Sequence, residues 1–274
     1  MINVVVTGAA GKMGMRIINL IRETKGVELM GALERKGHSS LNQDAGVVAG
    51  SGKLGVKIED DLRAIIERGS KAGKGKLIII DFTTSPASLE HLRTAGGKGV
   101  PMVIGTTGFS PEESSELKRL AKKIPCVWSP NMSVGVNLMF KLTAEAAGIL
   151  GDDFDVEIIE AHHRRKVDAP SGTALRIGEL IARALGRKFE NVGIYGRRGR
   201  VGQRTKKEIG MQVIRAGDIV GEHTVIFGGE GERLEITHRA HSRDNFARGA
   251  LRAAQWLANQ KKGLYDMMDV LGLK

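Results

Sequence analysis

The first half of the chain alternates short apolar runs with amphipathic stretches. INVVVT at 2–7, VELMGAL at 27–33, KLIIID at 76–81, PMVIG at 101–105 and CVW at 126–128 are short, apolar and rich in β-branched residues, as buried strands are. Between them, 12–23, 59–68, 86–95 and 111–123 carry helical spacing. The last opens with Ser110, Pro111 and Glu113, a capping box with proline at the first helical position. Strands alternating with helices of this length imply right-handed βαβ crossovers and a parallel sheet covered on both faces. The expectation for residues 1–132 is a Rossmann-like, doubly wound α/β domain.

After residue 132 the pattern changes. A helix at 135–150 precedes DFDVEIIEA at 153–161, a polar basic loop and a helix over 172–185. The strands MQVIRA, EHTVIF and RLEITHRA follow, punctuated by Gly217, Gly221 and the turn Gly228-Gly229-Glu230-Gly231, which predicts an antiparallel, open-faced sheet. The second domain, 133–243, is expected to be α+β with an open mixed sheet. A final amphipathic helix, with Asp244 as its N-cap, returns residues 244–274 to pack on the first domain. The lysine- and glycine-rich GSKAGKGK at 69–76 reads as a local loop.

Composition narrows the class. Among 274 residues Cys126 is the only cysteine, so there is no internal disulfide, no CxxC pair and no cysteine-based zinc site, as expected in a reducing cytoplasm. The N-terminus lacks the basic flank and continuous apolar stretch of a signal peptide, and no later run approaches a membrane span. The net charge is +11, and residues 161–210, with 13 Lys+Arg against 4 Asp+Glu, hold +9 of it. Such a stretch suits an anionic partner without saying which.

The candidate chemistry begins at Gly8-Ala9-Ala10-Gly11-Lys12-Met13-Gly14, between a strand and a helix. Small residues let the backbone approach a pyrophosphate, and the helix start offers N–H groups and a positive dipole end. The spacing is GxxGxxG rather than GxGxxG. Glu34, 20 positions beyond Gly14, is placed to accept from the adenosine ribose hydroxyls, and Arg35 to pair with a 2′-phosphate, so NADH and NADPH are both accommodated. Gly105-Thr106-Thr107-Gly108-Phe109 and Ser129-Pro130-Asn131-Met132 end two further strands at the sheet edge where open α/β sheets bind ligands.

The densest cluster is Glu160-Ala161-His162-His163-Arg164-Arg165-Lys166-Val167-Asp168-Ala169-Pro170-Ser171-Gly172-Thr173. Gly172 and Thr173 open a helix, where a carboxylate binds readily, and histidine and lysine are easily tuned for acid chemistry. No metal is expected, since adjacent His162 and His163 point apart in an extended segment and no spaced third ligand follows. The basic stretch Arg197, Arg198, Arg200, Arg204, Lys206 and Lys207 has only Phe189 and Tyr195 nearby for stacking and no nucleic-acid-binding pattern. It reads as a mobile surface loop that attracts anionic substrate and closes over the site; neither nucleic acid nor membrane is an expected partner.

EAHHRRKVDAPSGTAL at 160–175, with VVVTGAAGKMG, GALER, DFTTSP, GTTGF, SPNMSVGVN, RAGDIVGEH and ERLEITHRAHSRDNFARGAL, resembles the dihydrodipicolinate reductase family over essentially the whole chain. The resemblance implies reduction of 4-hydroxy-tetrahydrodipicolinate to tetrahydrodipicolinate by NADPH or NADH, in the diaminopimelate route to lysine. It further implies that His162 is the catalytic histidine and Lys166 the proton donor, with His163, Gly172 and Thr173 binding the dicarboxylate substrate. The implied cofactor contacts are Gly8, Ala9, Ala10, Gly11, Lys12, Met13, Glu34, Arg35, Gly105, Thr106, Thr107, Ser129, Pro130, Asn131 and Met132. A homotetramer assembled through the second domain, and a hinge closing on both ligands, are implied in the same way. Lys12 departs from the arginine common at its position, and a lysine cannot make a bidentate phosphate contact.

Overall fold

The computed structural model describes residues 1–71 and 75–274. In chain order the elements are β1 (Ile2–Thr7), α1 (Lys12–Ile21), β2 (Val27–Leu33), α2 (Ala45–Ala49), β3 (Ile58–Glu59), α3 (Leu62–Lys71), β4 (Lys76–Asp81), α4 (Ser85–Lys98), β5 (Met102–Ile104), α5 (Pro111–Ala121) and β6 (Pro125–Trp128). They continue with α6 (Val134–Leu150), β7 (Asp155–His162), α7 (Gly172–Ala184), α8 (Phe189–Val192), β8 (Gly193–Tyr195), β9 (Ile209–Arg215), β10 (Gly221–Gly228), β11 (Arg233–Ala240), α9 (Asp244–Leu257), β12 (Gly263–Tyr265) and α10 (Met267–Leu271). The chain divides into two compact units, Met1–Val134 with Arg243–Lys274, and Gly135–Ser242.

The first unit is built on a parallel sheet in the order β12-β6-β5-β4-β1-β2-β3. Its strands are mainly apolar because both faces are covered, and alternate residues serve opposite layers. Ile2, Val4 and Val6 of β1 and Ile78 and Ile80 of β4 pack with Ile17 and Ile18 of α1 and Ala250, Leu251 and Ala254 of α9. Val5 and Ile79, one position out of phase, pack on Ile65 of α3, Leu92 of α4 and Leu117 of α5. The small residues of α9 seat it close: a Cβ at Gly249 would run into the Met132 carbonyl.

The second unit carries a mixed sheet in the order β11-β10-β7-β9-β8. β10 pairs antiparallel with β7 and β11, while β7–β9 and β8–β9 are parallel, so the sheet is mixed, as expected for this domain. The reason is α7, which carries the chain back between β7 and β9 as a crossover. One face of this sheet packs with α6 and α7 around Ile158, Met211, Val225, Phe227, Ile177 and Ile181.

Several boundaries also differ. The helix expected at 59–68 begins at Leu62, because Ile58–Glu59 pairs with β2 and Asp61 accepts from the Ala64 N–H at 3.1 Å. Gly69–Lys71 of the expected loop continue α3, and 72–74 lie outside the described residues. Asp244 is the first residue of α9; its N-cap is Arg243, which makes no side-chain cap bond. The capping box at Ser110 and Glu113 is formed as predicted. Counter to expectation, the helical stretch Val134–Asp153 is long and apolar enough for a membrane span, with mean hydropathy 1.2. It nevertheless carries the Lys141–Glu145 ion pair, costly in hydrocarbon, and buries Val136, Met139 and Phe140 in the second unit's core.

Candidate active site

In the first unit the glycine turn sits at the carboxyl end of β1. Gly8 adopts φ +68°, and a Cβ there would lie 3.1 Å from the Phe82 carbonyl oxygen. A Cβ at Gly14 would run into the Gly8 carbonyl, so both positions require glycine. Gly11 caps α1 without any side-chain acceptor, and the first turn has no acidic residue. The helix therefore presents backbone N–H groups and its positive end unneutralised, as a pyrophosphate requires. These features fit a dinucleotide. Lys12 is exposed beside the turn, Ala10 and Met13 are half-buried, and Ala9 is buried with its N–H donating to the Leu33 carbonyl at 3.0 Å. That bond ties the turn to the end of β2, immediately before Glu34 and the exposed Arg35.

The same edge gathers the ends of β5 and β6. Gly105 follows β5, its N–H donating to the Asp81 carbonyl at 2.9 Å, and Thr107 is exposed. Ser129 donates from its hydroxyl to the Asn131 carbonyl at 2.9 Å, and Pro130 is exposed. Two members turn inward. The Met132 side chain is buried in the core, and Thr106 is buried with its hydroxyl donating to Asp81 Oδ1 at 2.8 Å. Asp81, unremarked in the sequence, is a wholly buried carboxylate that also accepts from Thr7, Thr83 and His91. Burial alone would raise its pKa, but these donors outweigh that effect and hold it below the usual carboxylate range.

In the second unit β7 delivers the histidine cluster. Residues two apart on a strand share a face, so Val156, Ile158, Glu160 and His162 line up, and the core-facing row ends in a carboxylate and an imidazole. Glu160 is fully buried. Its Oε2 accepts from His162 Nδ1 at 2.6 Å and Arg215 Nη1 at 2.8 Å; its Oε1 accepts from Arg215 Nη2 and the Ser171 N–H, each at 2.9 Å. These donors outweigh desolvation and keep Glu160 ionised, its pKa lowered. Facing a carboxylate, His162 Nδ1 must carry the proton, which leaves Nε2 as the acceptor near Gly221. Burial, only partly offset by Glu160, pushes His162 below its ordinary pKa, toward the neutral form.

Ser171 links this dyad to α7. Its hydroxyl caps the helix by accepting from the Ala174 N–H at 3.2 Å and lies 3.0 Å from His223 Nε2. Gly172 is exposed at the helix start and Thr173 half-buried beside it. Lys166 Nζ donates to both Asp168 oxygens at 2.8 Å, and this pairing lowers the Asp168 pKa. His163 is half-buried, with Nδ1 lacking a partner. His223 packs edge-on against the His162 ring and is pushed down to about 3 by burial, so it is neutral. Glu160, Arg215 and His223 lie within motifs quoted from the sequence, but no role was assigned to them there. The i, i+2 relation of Glu160 to His162 was the available signal.

Two arginines of the basic stretch are engaged in ion pairs. Arg197 donates to Glu157 at 3.0 and 2.8 Å and to Glu208 at 2.8 Å. Arg204 donates to Asp155 Oδ1 at 2.6 Å and to the Val156 and Glu208 carbonyls. Two of its cations thus neutralise carboxylates of β7 and the start of β9. Arg198, Arg200, Lys206 and Lys207 remain exposed. Among the described residues no group of three or more His, Cys, Asp and Glu is arranged to hold a metal ion.

Comparison with known proteins gives the family. Residues 2–132 match the model of the dihydrodipicolinate reductase N-terminus and 135–271 that of its C-terminus. The chain is 56% identical to the 4-hydroxy-tetrahydrodipicolinate reductase of Syntrophus aciditrophicus and 58% identical to that of Geotalea uraniireducens, over all of both chains in each case. The dipicolinate-bound dihydrodipicolinate reductase from Paenisporosarcina sp. TG-14 superimposes with a TM-score of 0.75, at 26% identity and 98% coverage of both chains. An amine dehydrogenase from Mycobacterium smegmatis, at 16% identity and TM-score 0.58, shares the fold alone. The chain belongs to the dihydrodipicolinate reductase family, a family of pyridine nucleotide-dependent reductases.

Proposed function

We propose that the chain, as a member of this family, reduces 4-hydroxy-tetrahydrodipicolinate to tetrahydrodipicolinate with NADPH or NADH, in lysine biosynthesis by the diaminopimelate route. The observation that carries the reading is the Glu160–His162 dyad, bonded through Ser171 to the start of α7 and followed by Lys166.

The reaction takes up one hydride and one proton and releases water from the hydroxylated ring. A bound nicotinamide nucleotide supplies the hydride. The turn Gly8–Met13 and the start of α1 hold its pyrophosphate, Glu34 its ribose, and Arg35 a 2′-phosphate when one is present. Gly105, Thr106, Thr107, Ser129, Pro130, Asn131 and Met132 complete the edge, with Thr106 and Met132 contributing backbone. In the second unit the N–H groups of Gly172 and Thr173, with His163, bind substrate carboxylates. Lys166 supplies the proton to the nitrogen end of the reduced system, where electron density accumulates. To do so it exchanges Asp168 for the substrate. His162, neutral and held by Glu160, offers Nε2 to the substrate, whose negative charge favours its protonation.

Homotetramer assembly through the second unit is part of the proposal, supported by the exposed Val213, Ile214 and Leu234 of β9 and β11. Sedimentation equilibrium tests it. A cytoplasmic location is supported by the lone, buried Cys126, whose thiol pKa burial pushes up. The functional test supplies the condensation product of pyruvate and aspartate semialdehyde with NADPH or NADH and follows reduced-cofactor absorbance. Turnover is expected; none with either cofactor overturns the reading.

A further inference from the structure

Asp81 ends the apolar strand β4, where a carboxylate is the costly choice. Four donors converge on it. Oδ2 accepts from Thr7 Oγ1 at 2.7 Å and His91 Nδ1 at 2.6 Å; Oδ1 accepts from Thr83 Oγ1 at 2.9 Å and Thr106 Oγ1 at 2.8 Å. Thr106 Oγ1 also accepts from the Thr83 N–H at 2.9 Å, so the segments after β4 and β5 are fastened to each other as well as to Asp81.

The fastened groups lie where the strands give way to loops. Thr7 is the last residue of β1, directly before the glycine turn. Phe82 and Thr83 form the wall behind Gly8: a Cβ there would lie 3.1 Å from both the Phe82 carbonyl oxygen and Thr83 Cγ2. On the other side, a Cβ at Gly105 would run into the Phe82 ring. The Phe82–Thr83 segment is thus wedged between the glycine turn and the Gly105 segment, and Asp81 fixes it. A core needing only stability at this position is served as well by an apolar residue. A carboxylate whose acceptor sites are filled by hydroxyls from three strand ends sets their mutual position instead.

We infer that Asp81 is a positioning residue of the nucleotide-binding edge: acting through Thr7, Thr83, Thr106 and His91, it fixes the loops that meet the cofactor without touching the cofactor itself. The inference rests on the reading that this edge binds a nicotinamide nucleotide.

The test is equilibrium fluorescence titration of the full-length protein with NADPH and NADH, together with steady-state kinetics, for Asp81→Asn, Thr83→Val and Thr83→Ser. An asparagine cannot accept from all four donors, so cofactor Kd rises by about tenfold or more, the scale of one or two lost charge-assisted bonds. Cofactor KM rises more than kcat falls, because saturation restores the bound geometry. Thr83→Val follows in the same direction, and Thr83→Ser, which keeps the hydroxyl, binds more tightly than Thr83→Val. The double variant Asp81→Asn/Thr83→Val is weakened by less than the product of the single effects, since both act through one bond. Unchanged cofactor Kd in variants with only a lowered urea midpoint overturns the inference and leaves Asp81 a structural residue. Should Asp81→Asn not fold, the Thr83→Val and Thr83→Ser pair decides alone. Wild-type protein that binds neither cofactor takes down the functional reading and this inference together. Wild-type binding with unaltered variants takes down only this one.

Discussion

Replacing Glu160 by glutamine tests how the histidine of the second unit is held. The carboxylate places two donors on each oxygen: Arg215 and the Ser171 N–H on Oε1, His162 Nδ1 and Arg215 on Oε2. An amide has one accepting oxygen and one NH₂ group, so one of these pairs must face a donor. If the amide oxygen keeps the Ser171 side, the NH₂ group faces His162 and Arg215 Nη1. His162 then relieves the clash by moving its proton to Nε2, while Arg215 cannot follow because a guanidinium only donates. Arg215 keeps its Nη2 bond to the amide oxygen but loses the Nη1 bond to a charged acceptor, at a cost of roughly 1.5–3 kcal/mol, the range for a hydrogen bond to a charged group. The tautomer change removes the Nε2 acceptor, and turnover falls by about 10²-fold, the lower end for a misplaced acid–base group. Nitrogen-15 correlation spectra of histidine-labelled protein read the tautomer directly, and urea unfolding reads the stability. With the Glu160 charge gone, the His162 pKa falls further, so any acid limb of the pH–rate profile that it governs moves to lower pH. A Glu160→Gln variant with the proton still on His162 Nδ1 and wild-type turnover would refute the dyad.

Three further outcomes are expected. His162→Gln and Lys166→Ala slow the chemical step while leaving cofactor affinity intact, as fluorescence titration beside single-turnover rates would show; wild-type turnover in both would remove their catalytic assignment. Arg35→Ala weakens NADPH binding selectively, by roughly 1–3 kcal/mol for one charge-assisted contact, and equal weakening of NADH would count against the 2′-phosphate role. His223 titrates near 6.5 when unfolded and near 3 in the fold, so the folded state binds fewer protons between those values. Its contribution to stability is complete above pH 6.5 and is lost as pH falls, by up to about 1.4 kcal/mol per pH unit. His223→Gln keeps a partner for Ser171 and does not titrate, so its unfolding free energy declines less steeply between pH 6 and pH 4; parallel slopes in urea unfolding at several pH values would show that His223 is not buried neutral.

How much of this was legible depended on the range of the interaction concerned. The runs INVVVT and KLIIID of β1 and β4 are continuously apolar over most of their length, and the alternation of such runs with helical stretches, a short-range property, announced the parallel sheet. Strands as short as Ile58–Glu59 or Gly193–Tyr195 have no period to detect and exist because a neighbour pairs with them. The direction of β9 against β7 is likewise a consequence of how α7 packs, which turn residues in the glycine-rich section do not encode. The two carboxylates that organise the candidate sites are the instructive case. Asp81 ends KLIIID, and Glu160 interrupts the buried row begun by Val156 and Ile158. In both, the pattern already demands that a charge lie at a buried position, and burial without partners costs several kcal/mol. The sequence therefore marks where compensation has to occur. It does not say from where, because Arg215 and Thr7 reach their carboxylates across 55 and 74 positions, and only the folded chain brings them there. A charged residue inside or ending an apolar strand is thus the sequence signal for a long-range polar network. In this chain both such networks stand directly beneath the loops where the chemistry is proposed to occur.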